Sequence, residues 1–355
     1  MPNHGKLSPE QSQKINQFRA VVGDLNLDAR VAVRFLRARS WQLEGAVTQW
    51  EKSVEWRKTE HVDELCRDTY QPPEVCASQL QLQALYPHAM CGFDRAGCPV
   101  RVECMGRIEV AELYKHCTEA EICRYHVWQQ EEIVQRFLPA CNRRTGLAND
   151  QVTVVIDMSR GRLRELMRAE AREHIKNFVT IVAEYYPEIL SKMLVVNAPS
   201  MLSLAWDCFS PMIDAGTKKK IVIVPPGART KCALLEVIHP SQLPCFLGGE
   251  RNTVLDLILP IIDAGGSVDE IEAVAKREAE WDGYWGLRSS RGAHGTDADE
   301  GDGARKEGAA TQEKSQQEPR QDNNVTAVQR KSRDAQIALL LDREWTYKSL
   351  LCAQE

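Results

Sequence analysis

The sequence predicts a mixed α/β domain behind a small all-helical unit. Three observations carry this. From about residue 80 to 249, short β-branched runs alternate with helix-period stretches. The strand runs carry few polar positions, as expected of strands buried on both faces with helices packed against the sheet. The first 67 residues show helical spacing only.

In that first unit, "LDARVAVRFLRARSWQLEGAVTQWEKSVEWRK" places Val31, Phe35, Leu43, Val47, Trp50, Val54 and Trp56 at mostly helical intervals. Arg30, Arg34, Arg37 and Arg39 form a basic stripe between them. "DTYQPPEV" ends the pattern with two prolines. "YPHAMCGF" and "CPVRVECM" read as strands joined at "DRAG", where Gly97 supplies a residue free to adopt positive φ. Thr118 and Glu121 stand at capping-box spacing before a long helix. "QVTVVIDM" is a buried strand. "AEAREHIKNFVTIVAEYY" is a helix with Ile175, Phe178, Val179, Val182 and Tyr186 on one face. "KMLVVNA" (strand), "PSMLSLAWDCFSPMI" (helix), "KKIVIVPP" (strand) and "TKCALLEVI" (helix) complete the alternation.

These signals divide the chain into an N-terminal helical bracket (1–74), an α/β domain (75–250), a helical extension (251–287), a linker (288–327) and a C-terminal helix (328–355). The linker has almost no large apolar residue and is expected to be disordered, since it buries too little surface to offset its ordering entropy. The last segment regains helical spacing through Ile337, Leu340, Leu341 and Leu351. It is expected to dock on the domain, bind a protein partner or lie on a membrane.

The net charge of −5 gives no reason to expect nucleic acid as a partner. The polar N-terminus does not resemble a secretory signal, and no apolar run approaches the ~20 residues of a membrane span. A cytoplasmic protein is expected. Its 12 cysteines form no CxxC pair and are read as free, mostly buried thiols. Cys117 and Cys123 lie near His116 and His126, at a spacing that matches no standard zinc set. Phosphate-loop, dinucleotide, nucleophile-elbow and HExxH motifs are all missing, so no enzyme and no cofactor is expected. "CAQE" places Cys352 at the prenylation position, but Gln354 and Glu355 fit that signal poorly.

Two features remain that structure alone does not demand. Glu188 ends "EYYPE" just before one strand, and Lys220 precedes the next. If those strands are neighbours, the pair forms either a surface salt bridge or a site for a ligand with hydroxyls and a phosphate. The helix that follows carries Leu202, Leu204, Ala205, Trp206, Phe209, Met212 and Ile213 over more than one face. It is either buried core or a gate lining a cavity.

"RFLRARSWQLEGAVTQWEKSVEWRK", "DRAGCPV", "VVIDMSRG", "YYPEILSKMLVVNAP", "FSPMIDAGTKKKIVIV" and "LPCFLGG" occur in this order. The set resembles the CRAL-TRIO lipid-binding family of phosphatidylinositol-transfer-like proteins, over about residues 7 to 249. The resemblance implies a bracket plus a mixed sheet flanked by helices, enclosing an apolar lipid pocket closed by a mobile helix. It implies headgroup contacts from Arg39, Glu188, Thr217 and Lys220, with Ser40 where a basic residue often stands. Leu202, Trp206, Phe209, Met212 and Ile213 would form the gate. Relatives that hold a choline lipid carry serine, threonine and tyrosine where this chain has Val152, Val154, Met90 and Arg101. The second ligand is therefore expected to be more apolar (a sterol, isoprenoid or vitamin-like lipid), unless ligand choice is set elsewhere. The expected function is lipid binding and exchange at a transient membrane surface. The alternative is a lipid-sensing scaffold that recruits a partner through the C-terminal helix.

Overall fold

The computed structural model describes residues 7–65 and 84–274, apart from positions 162, 201, 268 and 272. The expected linker and C-terminal helix lie outside the described residues, as do residues 275–287 of the extension.

The bracket is built from α1 (Pro9–Val22), α2 (Ala29–Ala38), α3 (Leu43–Thr59) and the single turn α4 (Val62–Leu65). Ser8 and Gln11 form a reciprocal capping box with Pro9 in the first turn, and Gly23 at φ 74° ends α1. Phe18, Phe35 and Trp50 meet with ring centroids 5.1–6.5 Å apart and centre the bracket core. The predicted basic stripe is largely spent on structure. Arg30 pairs with Asp28, Arg34 is buried, and Arg37 reaches Asp150 at 2.8 Å. Arg39 is the member of the four left exposed without a described ion pair.

The hairpin forms as the "DRAG" sequence predicts. Strand β1 (His88–Phe93) runs antiparallel to β2 (Pro99–Glu103). The Asp94 carboxylate accepts from the Ala96 and Cys98 amides and from Thr153 Oγ1, while Gly97 takes φ 79°. Next come α5 (Val110–His116) and α6 (Glu119–Glu132), which opens with the Thr118–Glu121 capping box. A π-helical segment, Ile133–Phe137, leads into α7 (Leu138–Thr145). The chain continues as β3 (Val152–Asp157), α8 (Leu163–Leu166), α9 (Ala169–Tyr185), β4 (Leu190–Val196), α10 (Leu202–Phe209), α11 (Ala215–Lys218) and β5 (Ile221–Ile223). Helices α12 (Ala228–Val237) and α13 (Val254–Asp263) follow.

The sheet order is β1-β2-β3-β4-β5, parallel from β2 onward. Consecutive parallel strands with right-handed crossovers put their connections on one face. Strand alternation then divides β3 between two cores. Val155 packs with Val100, Val102 and Leu194 against Leu234 and Ile258 of α12 and α13. Val152 and Val154 face the opposite way, toward Ile133, Leu138 and Tyr186. A mixed sheet flanked by helices is thus observed. The expectation of free thiols is met at Cys91, Cys98, Cys104, Cys123, Cys141, Cys232 and Cys245. It fails at Cys117, which is disulfide-bonded.

Candidate ligand-binding site

Helix α9 stops where Pro187 disfavours helical geometry for the residue before it. Tyr186, the capping residue, is buried, and its hydroxyl donates to Glu131 Oε1 at 2.6 Å. Arg57 of the bracket binds the same carboxylate at 2.6 and 3.2 Å. Tyr185 stacks flat on Trp56, with centroids 4.0 Å apart and planes 3° from parallel. Bracket, α6 and the end of α9 are therefore joined at one corner. Glu188 follows in the left-handed region at φ 58°, uncommon for a residue other than glycine. The Gln151 side-chain amide holds the Glu188 carbonyl at 3.0 Å.

The Glu188 carboxylate accepts from Lys220 Nζ at 2.9 Å. Lys220 is set by its own backbone: its amide donates to Thr217 O, and its carbonyl accepts from Met193 of β4. Asp214 accepts from the Thr217 amide and so closes the α11 turn. The two charged side chains are 31% and 24% exposed, so they are shielded yet open to a ligand. The adjacency expected of Glu188 and Lys220 is observed, with Thr217 on the same short turn as Lys220.

Arg39 stands apart from them. It ends α2 and is followed by Ser40 and Trp41, both at positive φ. It borders a cleft of about 440 Å³ lined also by Gln42, Thr48, Gln49 and Lys52. Gln49 donates to the carbonyls of Ala183 and Glu184 in the last turn of α9, which ties this cleft to the helix leading to Glu188. Among the described residues, its buried Oε1 has no hydrogen-bond partner. Among the described residues, no hydrogen bond or ion pair joins Arg39 to Glu188 or Lys220.

Sheet register brings the second set together. Met90, Arg101, Val154 and Met193 are successive cross-strand partners, one row on the face opposite α12 and α13, with Val152 on that same face. Arg101 is buried; it forms an ion pair with Glu103 and donates to Gln129 Oε1, both at 2.6 Å. His88 Nε2 lies 3.0 Å from the Tyr125 hydroxyl, and His126 contacts Gln129. Burial, reinforced by the Arg101 charge, pushes His88 down to about 3, so it is neutral. Sequence reasoning missed this polar cluster. The alternation of Arg101 and Glu103 along β2 carries the signal, but such a pattern normally marks a solvent face.

Helix α10 packs against α8 and α9. Phe209 is buried, Leu202, Trp206 and Ile213 are half-buried, and Met212 is 41% exposed. The segment therefore has both an inward and an outward apolar side. No described helix is long and apolar enough to cross a membrane.

Residues 85–249 match the model of the CRAL/TRIO domain. The Arabidopsis thaliana phosphatidylinositol/phosphatidylcholine transfer protein SFH9 is 33% identical over 246 residues, covering 68% of this chain and 41% of that protein. SEC14 cytosolic factor from Kluyveromyces lactis is 30% identical over 252 residues, 70% of this chain and 81% of the relative. The Schizosaccharomyces pombe Sec14 cytosolic factor is 30% identical, with 84% of its length covered. The crystal structure of Sfh5 shares the fold, with a TM-score of 0.50 at 17% identity, covering 64% of this chain and 85% of the other. This chain belongs to the CRAL/TRIO domain family.

Proposed function

We propose that this protein binds a lipid with a phosphatidylinositol-like headgroup, or another hydrophobic lipid, in a gated pocket and exchanges it with membranes. The observation that carries this reading is the half-exposed Glu188–Lys220 pair, anchored on a left-handed backbone between two parallel strands. A carboxylate offers acceptors to sugar-like hydroxyls, and an ammonium offers charge to a phosphate. Thr217 and Arg39 complete the headgroup set. Two relatives support the class: one is named a phosphatidylinositol/phosphatidylcholine transfer protein and the other a cytosolic factor. A cytoplasmic protein that meets membranes transiently follows from the same reading.

The apolar positions Met90, Val152 and Val154 serve the tail pocket. The row that holds Met90 and Val154 offers no free hydroxyl, and its one charged member, Arg101, is already paired. This favours a second ligand poorer in polar groups than a choline lipid. Leu202, Trp206, Phe209, Met212 and Ile213 act as the gate. Each methylene left in water costs ~0.8 kcal/mol, so a closed pocket removes a large penalty in transit. Opening α10 against a bilayer trades one apolar setting for another, and no covalent step is needed.

The test is mass spectrometry of lipid extracted from the purified protein after incubation with a mixed cellular lipid extract. Phosphatidylinositol near one per chain in the wild type, and lost in Glu188→Ala, is the expected result. Retention of a sterol or isoprenoid alone would remove the inositol assignment, and no bound lipid would remove the pocket.

A further inference from the structure

We propose that Glu119, Cys123 and His174 form a site for a divalent zinc ion that pins α6 to α9. The three residues come from two helices and belong to no site described above. Glu119 and Cys123 stand four apart at the start of α6, hence on one face of it. His174 faces them from α9. Cys123 Sγ lies 3.0 Å from Glu119 Oε1, and His174 Nδ1 lies 3.2 Å from the same oxygen. All three donor atoms fall within 4.8 Å of one another.

Donor chemistry favours zinc over a hard cation. Thiolate, imidazole and carboxylate are the three protein ligand types zinc accepts, whereas calcium and magnesium take oxygen sets. Donors around a tetrahedral zinc, at bond lengths of 2.0–2.3 Å, stand roughly 3.5 Å apart. The present spacings need only small side-chain rotations to reach that value. A fourth position is left for water.

Outer partners are already in place. Asn177 Nδ2 donates to Glu119 Oε1 at 2.9 Å, and the Tyr114 hydroxyl donates to Glu119 Oε2. Such contacts orient a ligating carboxylate. The His174 ring rests against His126, centroids 5.0 Å apart, which limits its rotation. Glu119 and His174 are 29% and 19% exposed, so an ion has a way in. Chain spacing conceals the set, because His174 comes from a helix far along the sequence. The nearer cysteine, Cys117, is in a disulfide, and His116 pairs with Glu112 on the surface.

Cobalt(II) titration of the metal-stripped full chain tests the proposal. Saturation at one ion per chain is expected, with a thiolate-to-cobalt charge-transfer band that zinc abolishes. Cys123→Ser should lose the band, and His174→Gln should weaken binding at least ~10-fold. Absence of the band in the wild type would overturn the proposal. So would an unchanged band in Cys123→Ser, which would trace it to exposed Cys232 or Cys245. A second readout needs no variant. Zinc should shield Cys123 from iodoacetamide while Cys232 and Cys245 stay reactive, as read by peptide mass spectrometry; alkylation of Cys123 at the zinc-free rate would refute the site.

Discussion

Replacing Glu188 with glycine separates a ligand contact from a structural brace. Glu188 sits at φ 58°, where a side chain costs ~1–2 kcal/mol that glycine avoids. Glycine in turn widens the unfolded ensemble at a cost of about 0.4–1 kcal/mol. The ion pair lost with the side chain is 2.9 Å long between partners 31% and 24% exposed, and contacts of this kind contribute ~0–1 kcal/mol. The three contributions nearly cancel, so Glu188→Gly should unfold within about 1 kcal/mol of the wild type. Headgroup binding should respond very differently. Hydrogen bonds to a charged group contribute about 1.5–3 kcal/mol, roughly 10- to 150-fold in affinity. The assay pairs urea unfolding with transfer of labelled phosphatidylinositol between vesicles. Transfer within two-fold of wild type would refute the headgroup assignment. A stability loss above about 3 kcal/mol would show that the pair braces the corner instead.

Lys220→Met should reproduce the transfer loss with an equally small stability change, measured in the same two assays. Trp206→Asp should slow vesicle-to-vesicle exchange while shifting the thermal midpoint little; exchange at the normal rate would make that side chain ordinary packing. His88 links folding to pH. The unfolded histidine takes up a proton below about pH 6.5, while folded His88 stays neutral down to about 3. Stability should therefore fall as pH drops from 6.5 toward 3, by ~1.4 kcal/mol per unit from this group. His88→Gln should flatten that limb in urea titrations run at a series of pH values. At the hairpin, a Gly97 Cβ would stand 2.6 Å from Leu147 Cδ1 and 2.9 Å from Asn149 Nδ2, on a backbone at φ 79°. Gly97→Ala should cost about 1–3 kcal/mol in thermal or urea unfolding, and a neutral result would mean the turn relaxes freely.

Sequence patterns revealed those features whose cause is local. Asp94 and Gly97 mark the hairpin because a side-chain acceptor and a positive φ define that turn. Thr118 and Glu121 mark the start of α6 because both halves of a capping box lie within one turn. Glu188 and Lys220 were legible together because β4 and β5 are sequential parallel neighbours, so the residues entering them meet at one end of the sheet. The arginine stripe was only partly legible, because helical spacing shows that Arg30, Arg34, Arg37 and Arg39 are close but not that Asp28 and Asp150 occupy two of them. Cys123 and His174 were invisible as a pair, since only the packing of α6 on α9 brings them together.

The buried polar cluster marks the limit of pattern reading most sharply. Arg101 and Glu103 alternate along β2 as a solvent-facing strand would, yet both point beneath the helices. Burial of so much charge is costly unless its members have partners, and here, among the described residues, Arg101 Nε has only its ion pair with Glu103 and no well-formed hydrogen bond. Tyr86, His88, Tyr125, His126 and Gln129 supply those partners from β1, the residues before it, and α6. Because Met90 and Val154 flank Arg101 in one row, loss of any partner would free a charge beside the apolar positions assigned to the lipid tail. Under the proposed function, discrimination against polar lipids in this row would therefore depend on side chains outside it. Gln129→Leu tests this directly: it should release the Arg101 guanidinium and raise retention of lipids bearing a hydroxyl or carboxylate in the extraction assay. An unchanged lipid profile would place the choice of ligand elsewhere in the fold.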